Sequence, residues 1–265
     1  MAGSEMGLIP PTMRVLVVDD VGANCRLAQA LLRSFGHASE VATSGLEAVQ
    51  KTAAGRYDVV LMDVQMPDMD GMEATQRIRA RLGAASPRII AMTANATPGD
   101  RERCLAAGMD DYLSKPIQAQ ALRAAIEQAS VSAAGPAVRP AEPTPEAPPP
   151  GAIDWNRIES LAPFDPDGSM VAGVIAAFLA DAPGRIAAMQ AAHAAADAAG
   201  LAAAAHALKG AAANIGAARL QELSQDIEAL AREGRLEGAL KSIGALEKSL
   251  AEARAALAAK GKTSP

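Results

Sequence analysis

Two hydrophobic periodicities divide the chain. In its first half, short and nearly unbroken apolar runs at 14–18, 39–42, 59–62, 88–92 and 112–113 mark strands, the most apolar of them buried on both faces. Between them, apolar residues recur every three to four positions and predict helices over 22–35, 44–53, 72–81, 98–107 and 118–128. Leu27, Leu31, Leu32 and Phe35 form the inward stripe of the first helix, which Gly36 closes. Ser44, with Glu47 three residues on, supplies a capping pair for the second. Strand and helix alternate five times, so the expected unit is a parallel sheet covered on both sides.

From Ile153 onward no strand pattern recurs. Helical spacing covers 154–161, 169–180, 184–198, 201–214, 216–233 and 236–258, with Gly200, Gly216 and Gly234 read as breaks. Helices that bury one face each pack as an all-α bundle. Between the two regions, residues 131–151 hold seven prolines among alanine, glycine and glutamate. Such a segment buries too little apolar surface to fold, and its prolines keep it extended. The expected organisation is a disordered leader 1–12, an α/β unit 13–129, a linker 130–151, a helical unit 152–258 and a disordered tail 259–265.

Composition narrows the classes. Half of the 265 residues are apolar but only 2% are aromatic, which favours helices packed through small side chains. A net charge of −5 leaves no polybasic footprint, so no nucleic-acid partner is expected. No run of about 18 uncharged apolar residues stands out, so no membrane span is expected. The first residues lack the basic and apolar regions of a signal peptide. Cys25 and Cys104 have no metal-ligand spacing and read as reduced structural thiols, which suits a cytoplasmic protein.

Chemistry concentrates where strands end. Asp19 and Asp20, Asp63, Thr93 and Lys115 all fall at or just after the carboxyl ends of the expected strands one, three, four and five. Ligands of parallel sheets sit at that edge. Each residue alone could end a strand or line a turn; five such residues at four strand ends point to a shared site. Three carboxylates in one pocket repel unless a cation neutralises them, and oxygen ligands with room for water suit Mg²⁺. Lys115 offers a point charge to a phosphoryl oxygen, Thr93 a hydroxyl donor, and Asp63 a carboxylate nucleophile. Together they describe phosphoryl transfer.

A second candidate is His206. Leu201, Leu208 and Ile215 recur every seven residues and define a buried face; His206 lies about 200° from Leu208 around the helix and is expected to face solvent. Its helical neighbours Ala202, Ala203, Gly210 and Ala213 are tiny, and Lys209 is the one charge expected beside it. A neutral imidazole nitrogen can take a phosphoryl group. His193 shares a face with Ile186 and Met189 and reads as structural, while His37 sits in a loop with no expected partner.

The stretches Val17-Val18-Asp19-Asp20, Met62-Asp63-Val64-Gln65-Met66-Pro67, Ala91-Met92-Thr93-Ala94 and Asp111-Tyr112-Leu113-Ser114-Lys115-Pro116 resemble the response-regulator receiver domain over 13–129. The resemblance implies a flavodoxin-like five-stranded parallel sheet in the order 2-1-3-4-5. It also implies phosphorylation of Asp63 and Mg²⁺ held by Asp19, Asp20, Asp63 and the backbone carbonyl of Gln65. Thr93 and Lys115 would bind the phosphoryl oxygens, Thr93 and Tyr112 would act as switch residues, and the bond before Pro116 would be cis. Gln65 and Asn95 occupy positions that tune attack of water on the acyl phosphate. The stretch 205–216 in turn resembles the histidine phosphotransfer (HPt) motif, within a four-helix bundle over 152–256. It implies phosphorylation of His206 with Lys209 and Gly210 in support; Ala211 departs from the family's usual serine.

The expected function is a two-component phosphorelay intermediate, as in the C-terminal part of hybrid sensor histidine kinases. A sensor histidine kinase upstream would supply Asp63, because the chain carries neither a P-loop nor a kinase's ATP-binding boxes. Asp63 would exchange with His206, and His206 with a downstream receiver. The start of the first helix, Val21, Asn24, Cys25 and Ala28, flanks the acid pocket and is the expected docking surface. The alternatives are a phosphorylation-switched interaction module or a phosphate sink. A phosphatase would need a second acid at position 65, which is glutamine.

Overall fold

The computed structural model describes residues 12–93, 98–131 and 152–261. Strands β1 (Arg14–Val18), β2 (Ala38–Ala42), β3 (Val59–Asp63), β4 (Arg88–Thr93) and β5 (Asp111–Ser114) form one parallel sheet in the order β2-β1-β3-β4-β5. Helices α1 (Gly22–Ser34), α2 (Gly45–Ala54), α3 (Gly71–Leu82), α4 (Pro98–Ala106) and α5 (Ala119–Val131) connect and flank them. All five residues of β3 are buried, as its unbroken apolar run requires. Val15, Val17, Leu61 and Met92 pack on one side with Leu27, Leu31 and Leu122, while Leu16, Val18, Val60 and Ile89 pack on the other with Ala74 and Ile78. Leu31 is fully buried, so Leu31→Ala should cost about 2–5 kcal/mol of stability.

Strand order reverses between β1 and β3, which opens a crevice at their carboxyl ends. Register sets Val18 beside Met62, Asp63 beside Met92 and Thr93 beside Ser114, so the residues that follow or end these strands reach one edge. Local chemistry fixes the turns there. The Asp70 carboxylate caps α3 by accepting the Glu73 N–H at 2.8 Å. Gly71 lies so close to the end of β3 that a Cβ would stand 2.0 Å from the Asp63 carbonyl oxygen, which only glycine permits. Ser44 caps α2 as its sequence indicates, but the Glu47 carboxylate reaches past it to accept from the Thr43 N–H.

The second region consists of α6 (Trp155–Glu159), α7 (Ser169–Ala194), α8 (Ala198–Asn214), α9 (Ala218–Arg232) and α10 (Leu236–Gly261). The last four close a ring: α7 on α8, α8 on α9, α9 on α10 and α10 on α7. Three expectations need correction. The separate helices at 169–180 and 184–198 are one helix that runs through Pro183. Proline disrupts the bond to the carbonyl four residues back, here Leu179, and that oxygen accepts from the Arg254 guanidinium instead. Gly200 is no break; α8 begins earlier, and Gly200 donates its N–H to the Asp197 cap at 2.9 Å. The ends also move, since α5 runs to Val131 and α10 to Gly261, beyond the expected boundaries. Most of the expected leader, linker and tail lies outside the described residues. Helix α7 is long and apolar enough to cross a membrane by length and composition, and in the bundle Phe178, Ala182, Ile186 and Met189 are buried from it.

The two regions pack together. Helix α1 lies against α7 and α8, and one apolar cluster runs through both regions. Phe35 and Phe164 meet edge to face at 5.5 Å. Arg157 donates to the Ile117 carbonyl, and burial brings its pKa down to about 10.

Candidate functional site

The acids gather as expected. Carboxylate oxygens of Asp19, Asp20 and Asp63 all lie within 4.8 Å of one another. Asp19 is fully buried: Oδ1 accepts from the Val21 N–H and from Asn24 Nδ2, each at 2.9 Å, and Oδ2 accepts from Lys115 Nζ at 2.8 Å. Lys115 Nζ also stands 2.7 Å from Asp63 Oδ2 as an ion pair, while the Gln65 N–H donates to Asp63 Oδ1 at 3.1 Å. Among the described residues only Lys115 meets Asp63 Oδ2, so this buried carboxylate oxygen keeps a second lone pair with which to accept. Burial, with Asp19 beside it, raises the Asp63 carboxyl to about 6 against the pull of Lys115. Burial and Asp19 raise Asp20 as well. For Lys115 burial works downward, but the two carboxylates outweigh it and hold the ammonium well above its ordinary value.

Thr93 ends β4 and is buried, and its carbonyl accepts the Lys115 N–H at 2.7 Å. The Lys115–Pro116 bond is cis. Tyr112 is half-buried on β5, with the Arg101 guanidinium 5.7 Å from its ring centroid. Asn95 lies outside the described residues. Cys25 is inert: burial, then Asp19, pushes its thiol up to about 12. Val21, Asn24, Cys25 and Ala28 are all buried, and Asn24 Oδ1 accepts from Asn214 Nδ2 across the contact between the regions at 2.7 Å.

His206 does not face open solvent. Its side chain is 12% exposed, held against Glu228 of α9 and lining a cavity that also reaches the carboxyl edge of the sheet. Nor is Lys209 the one charge beside it. Nδ1 lies 2.9 Å from Glu228 Oε1, Lys209 Nζ donates to Glu228 Oε2 at 2.6 Å, and Arg232 pairs with Glu228 Oε1 at 2.5 Å. Burial would raise Glu228, but the hydrogen bonds from His206 and Lys209 prevail and bring it down to about 2. Gly210 lies one turn on, against Asn24. Arg232 also donates to the Gln65 side-chain carbonyl at 3.3 Å. His206 and Arg232 share a cavity of about 320 Å³ with Asp20, Gln65 and Thr93. An adjoining cavity of about 220 Å³ brings Lys115, His206 and Lys209 together.

Glu228 and Arg232 escaped the sequence reading because no spacing links them to a histidine on another helix. The available signal was an acid beside the apolar stripe Leu220, Leu223, Ile227 and Ala231. His193 is structural as expected, bonded to the Leu236 carbonyl. His37 does have a partner, since its Nδ1 accepts the Met13 N–H at 3.3 Å.

A strand-end acid pocket and a helix-borne histidine on one cavity define a protein of two-component signalling. Residues 15–127 match the family model of the response regulator receiver domain and residues 173–256 that of the Hpt domain. The chain is thus a receiver domain followed by an Hpt domain. It is 43% identical over 110 residues to the signal transduction histidine-protein kinase BarA of Escherichia coli (strain K12), with 42% of this chain and 12% of that protein covered. Against the aerobic respiration control sensor protein ArcB of the same organism it is 38% identical over 119 residues, covering 44% of this chain and 15% of the relative. The chain therefore matches a small fraction of the length of these relatives. The receiver domain of the sensor histidine kinase PA1611 of Pseudomonas aeruginosa PAO1, solved with magnesium in its cleft, is 40% identical with a TM-score of 0.43, covering 46% of this chain and 100% of that one.

Proposed function

We propose that this chain is a phosphorelay intermediate that exchanges a phosphoryl group between Asp63 and His206. A histidine kinase loads Asp63, and His206 passes the group to a downstream receiver. The observation that carries this reading is the shared cavity, which His206 lines together with Asp20 and Thr93. Asp19, Asp20 and Asp63 form an all-oxygen donor set, to which the carbonyl of Gln65 would add, and the second lone pair of Asp63 Oδ2 suits a divalent cation such as Mg²⁺. When bound, that ion neutralises charge on the transferring oxygens.

Each residue then has a task. An ionised Glu228 can only accept, so Nδ1 of a neutral His206 carries the proton and Nε2 keeps its lone pair. Attack of Nε2 on the phosphorus of the Asp63 acyl phosphate forms the P–N bond and breaks the P–O bond. The bonding electrons return to the carboxylate, where Lys115 receives the charge. The reverse step uses the same groups, with Asp63 as nucleophile. Lys209 and Arg232 outnumber Glu228 and leave the His206 side of the cavity net positive, suited to a phosphoryl group.

The test loads the chain with a small acyl-phosphate donor. Acid-labile, base-stable label should appear on His206 and disappear in both Asp63→Asn and His206→Gln. Label confined to Asp63 in the unaltered chain would sink the internal relay and leave a receiver and an Hpt domain that serve different partners.

A further inference from the structure

Beside its apolar packing the contact between the two domains carries a buried pair of side-chain amides, and that pair has a fixed polarity. Asn24 and Asn214 are 2% and 3% exposed. Asn24 Nδ2 donates to both Asp19 oxygens, at 2.9 and 3.1 Å. A carboxylate held by Lys115 accepts and does not donate, so the Asn24 amide cannot turn over. Its carbonyl must face the helical domain, where Asn214 meets it with an N–H at 2.7 Å. The Asn214 carbonyl is buried without a partner among the described residues, so this amide too is oriented by the bond it makes.

We infer that Asn24 and Asn214 form a polarity-matched pin that selects and registers the helical domain on the receiver. Asp19 makes Asn24 an obligate acceptor, and a helical bundle seats on α1 only if it brings a donor to this point. Its own Hpt domain brings Asn214. A bundle with an apolar or acidic side chain there would leave a buried acceptor unmet, which is costlier than losing an exposed bond.

The pin also sets distance along the helix. His206, Gly210 and Asn214 stand four residues apart in one row on α8, and Gly210 rests against Asn24, where an added Cβ would lie 3.6 Å from its Nδ2. Asn214 lies two turns from His206, about 12 Å along the axis. A slip of one turn would move the histidine about 5 Å from the acid pocket and break the amide pair. A single buried asparagine fixes register in coiled coils in the same way.

This inference concerns docking alone and stands whether or not phosphoryl groups pass between the domains. The test therefore reads docking directly in the full, unphosphorylated chain, by small-angle X-ray scattering and by the amide shifts of α1. Asn214→Asp keeps the shape and replaces the donor by an acceptor; it should shift the docking equilibrium toward separated domains by at least about tenfold. Asn214→Ala should shift it less, about fivefold. In an Asn24→Ala background the aspartate should be no worse than the alanine. An Asn214→Asp chain that docks like the unaltered one overturns the pin, as does an equal penalty in both backgrounds. Should circular dichroism show helix loss in Asn214→Asp, Asn24→Ala alone decides, with about fivefold weaker docking expected and undiminished docking fatal.

Discussion

The two halves of the proposed transfer site are built by opposite means. Around Asp63, the neighbouring acids and Lys115 are delivered by strand ends, so the backbone of a buried sheet fixes the geometry before any side chain chooses a rotamer. Around His206, the geometry is a side-chain network spanning two helices, with Glu228 holding one imidazole and two cations. Charge follows the same division. The receiver pocket crowds acids around one lysine and strains against its own charge; the helical site gathers cations around one acid and relaxes. The sheet thus stores an electrostatic cost that a cation relieves, while the bundle holds its histidine at no such cost.

Removing the central ion from each side should break the symmetry of that description. Lys115→Ala leaves Asp19 and Asp63 facing each other without their buried cation, and should destabilise the metal-free receiver by about 3–5 kcal/mol in urea unfolding. Saturating Mg²⁺ should restore much of the loss. A variant as stable as the unaltered chain in chelator would mean that the acids are not strained.

The pH response should sharpen the contrast. The Asp63 carboxyl titrates near 6 when folded and near 3.8 otherwise, so the folded state binds its proton more tightly. Its charge therefore opposes folding above pH 6, and the penalty fades as pH falls through 6 toward 3.8. Asp63→Asn should stabilise the chelated protein by about 1–3 kcal/mol at pH 7.5 and by little at pH 4. Glu228 runs the other way: lowered from 4.5 to about 2, its contribution is whole above 4.5 and disappears as pH drops through 2. Glu228→Gln should therefore cost stability at pH 7, about 1–2 kcal/mol, where Asp63→Asn gains it. Unfolding curves of the two variants that move in the same direction at pH 7 would undo the comparison.

Legibility in the sequence follows the same line. Strand ends are one-dimensional features, so Asp19, Asp20, Asp63, Thr93 and Lys115 could be gathered by periodicity alone once the sheet was parallel. The helical site depends on how four helices are rotated against one another, which a single helix's wheel does not contain. Counting around α8 turned His206 toward solvent, because the Leu201, Leu208 and Ile215 face marks only one of its two buried sides; the other side meets α9 and α1. Pro183 misled for a related reason, since the group that takes up the freed Leu179 carbonyl, Arg254, lies 71 residues beyond the proline. Asn24 was legible as a surface near the pocket, but its partner Asn214 became visible only when the domains met.

The smallest effect concerns the residue that touches both halves. Arg232 pairs with Glu228 on its own helix and donates to the Gln65 side-chain carbonyl on the receiver. Its side chain is 49% exposed and the second bond is long at 3.3 Å, so Arg232→Ala should cost less than about 1 kcal/mol of stability. Gln65 sits two residues beyond Asp63, and while Arg232 holds its carbonyl the amide is drawn toward the helical domain rather than left free to order water beside an acyl phosphate. With His206→Gln blocking transfer, adding Arg232→Ala should change the decay of phosphorylated Asp63 by a few-fold, and adding Gln65→Ala as well should abolish any further effect of the arginine. Decay that responds to Arg232 equally with and without Gln65 would place the arginine's influence on the phosphoryl group itself, through its charge rather than through the amide it holds.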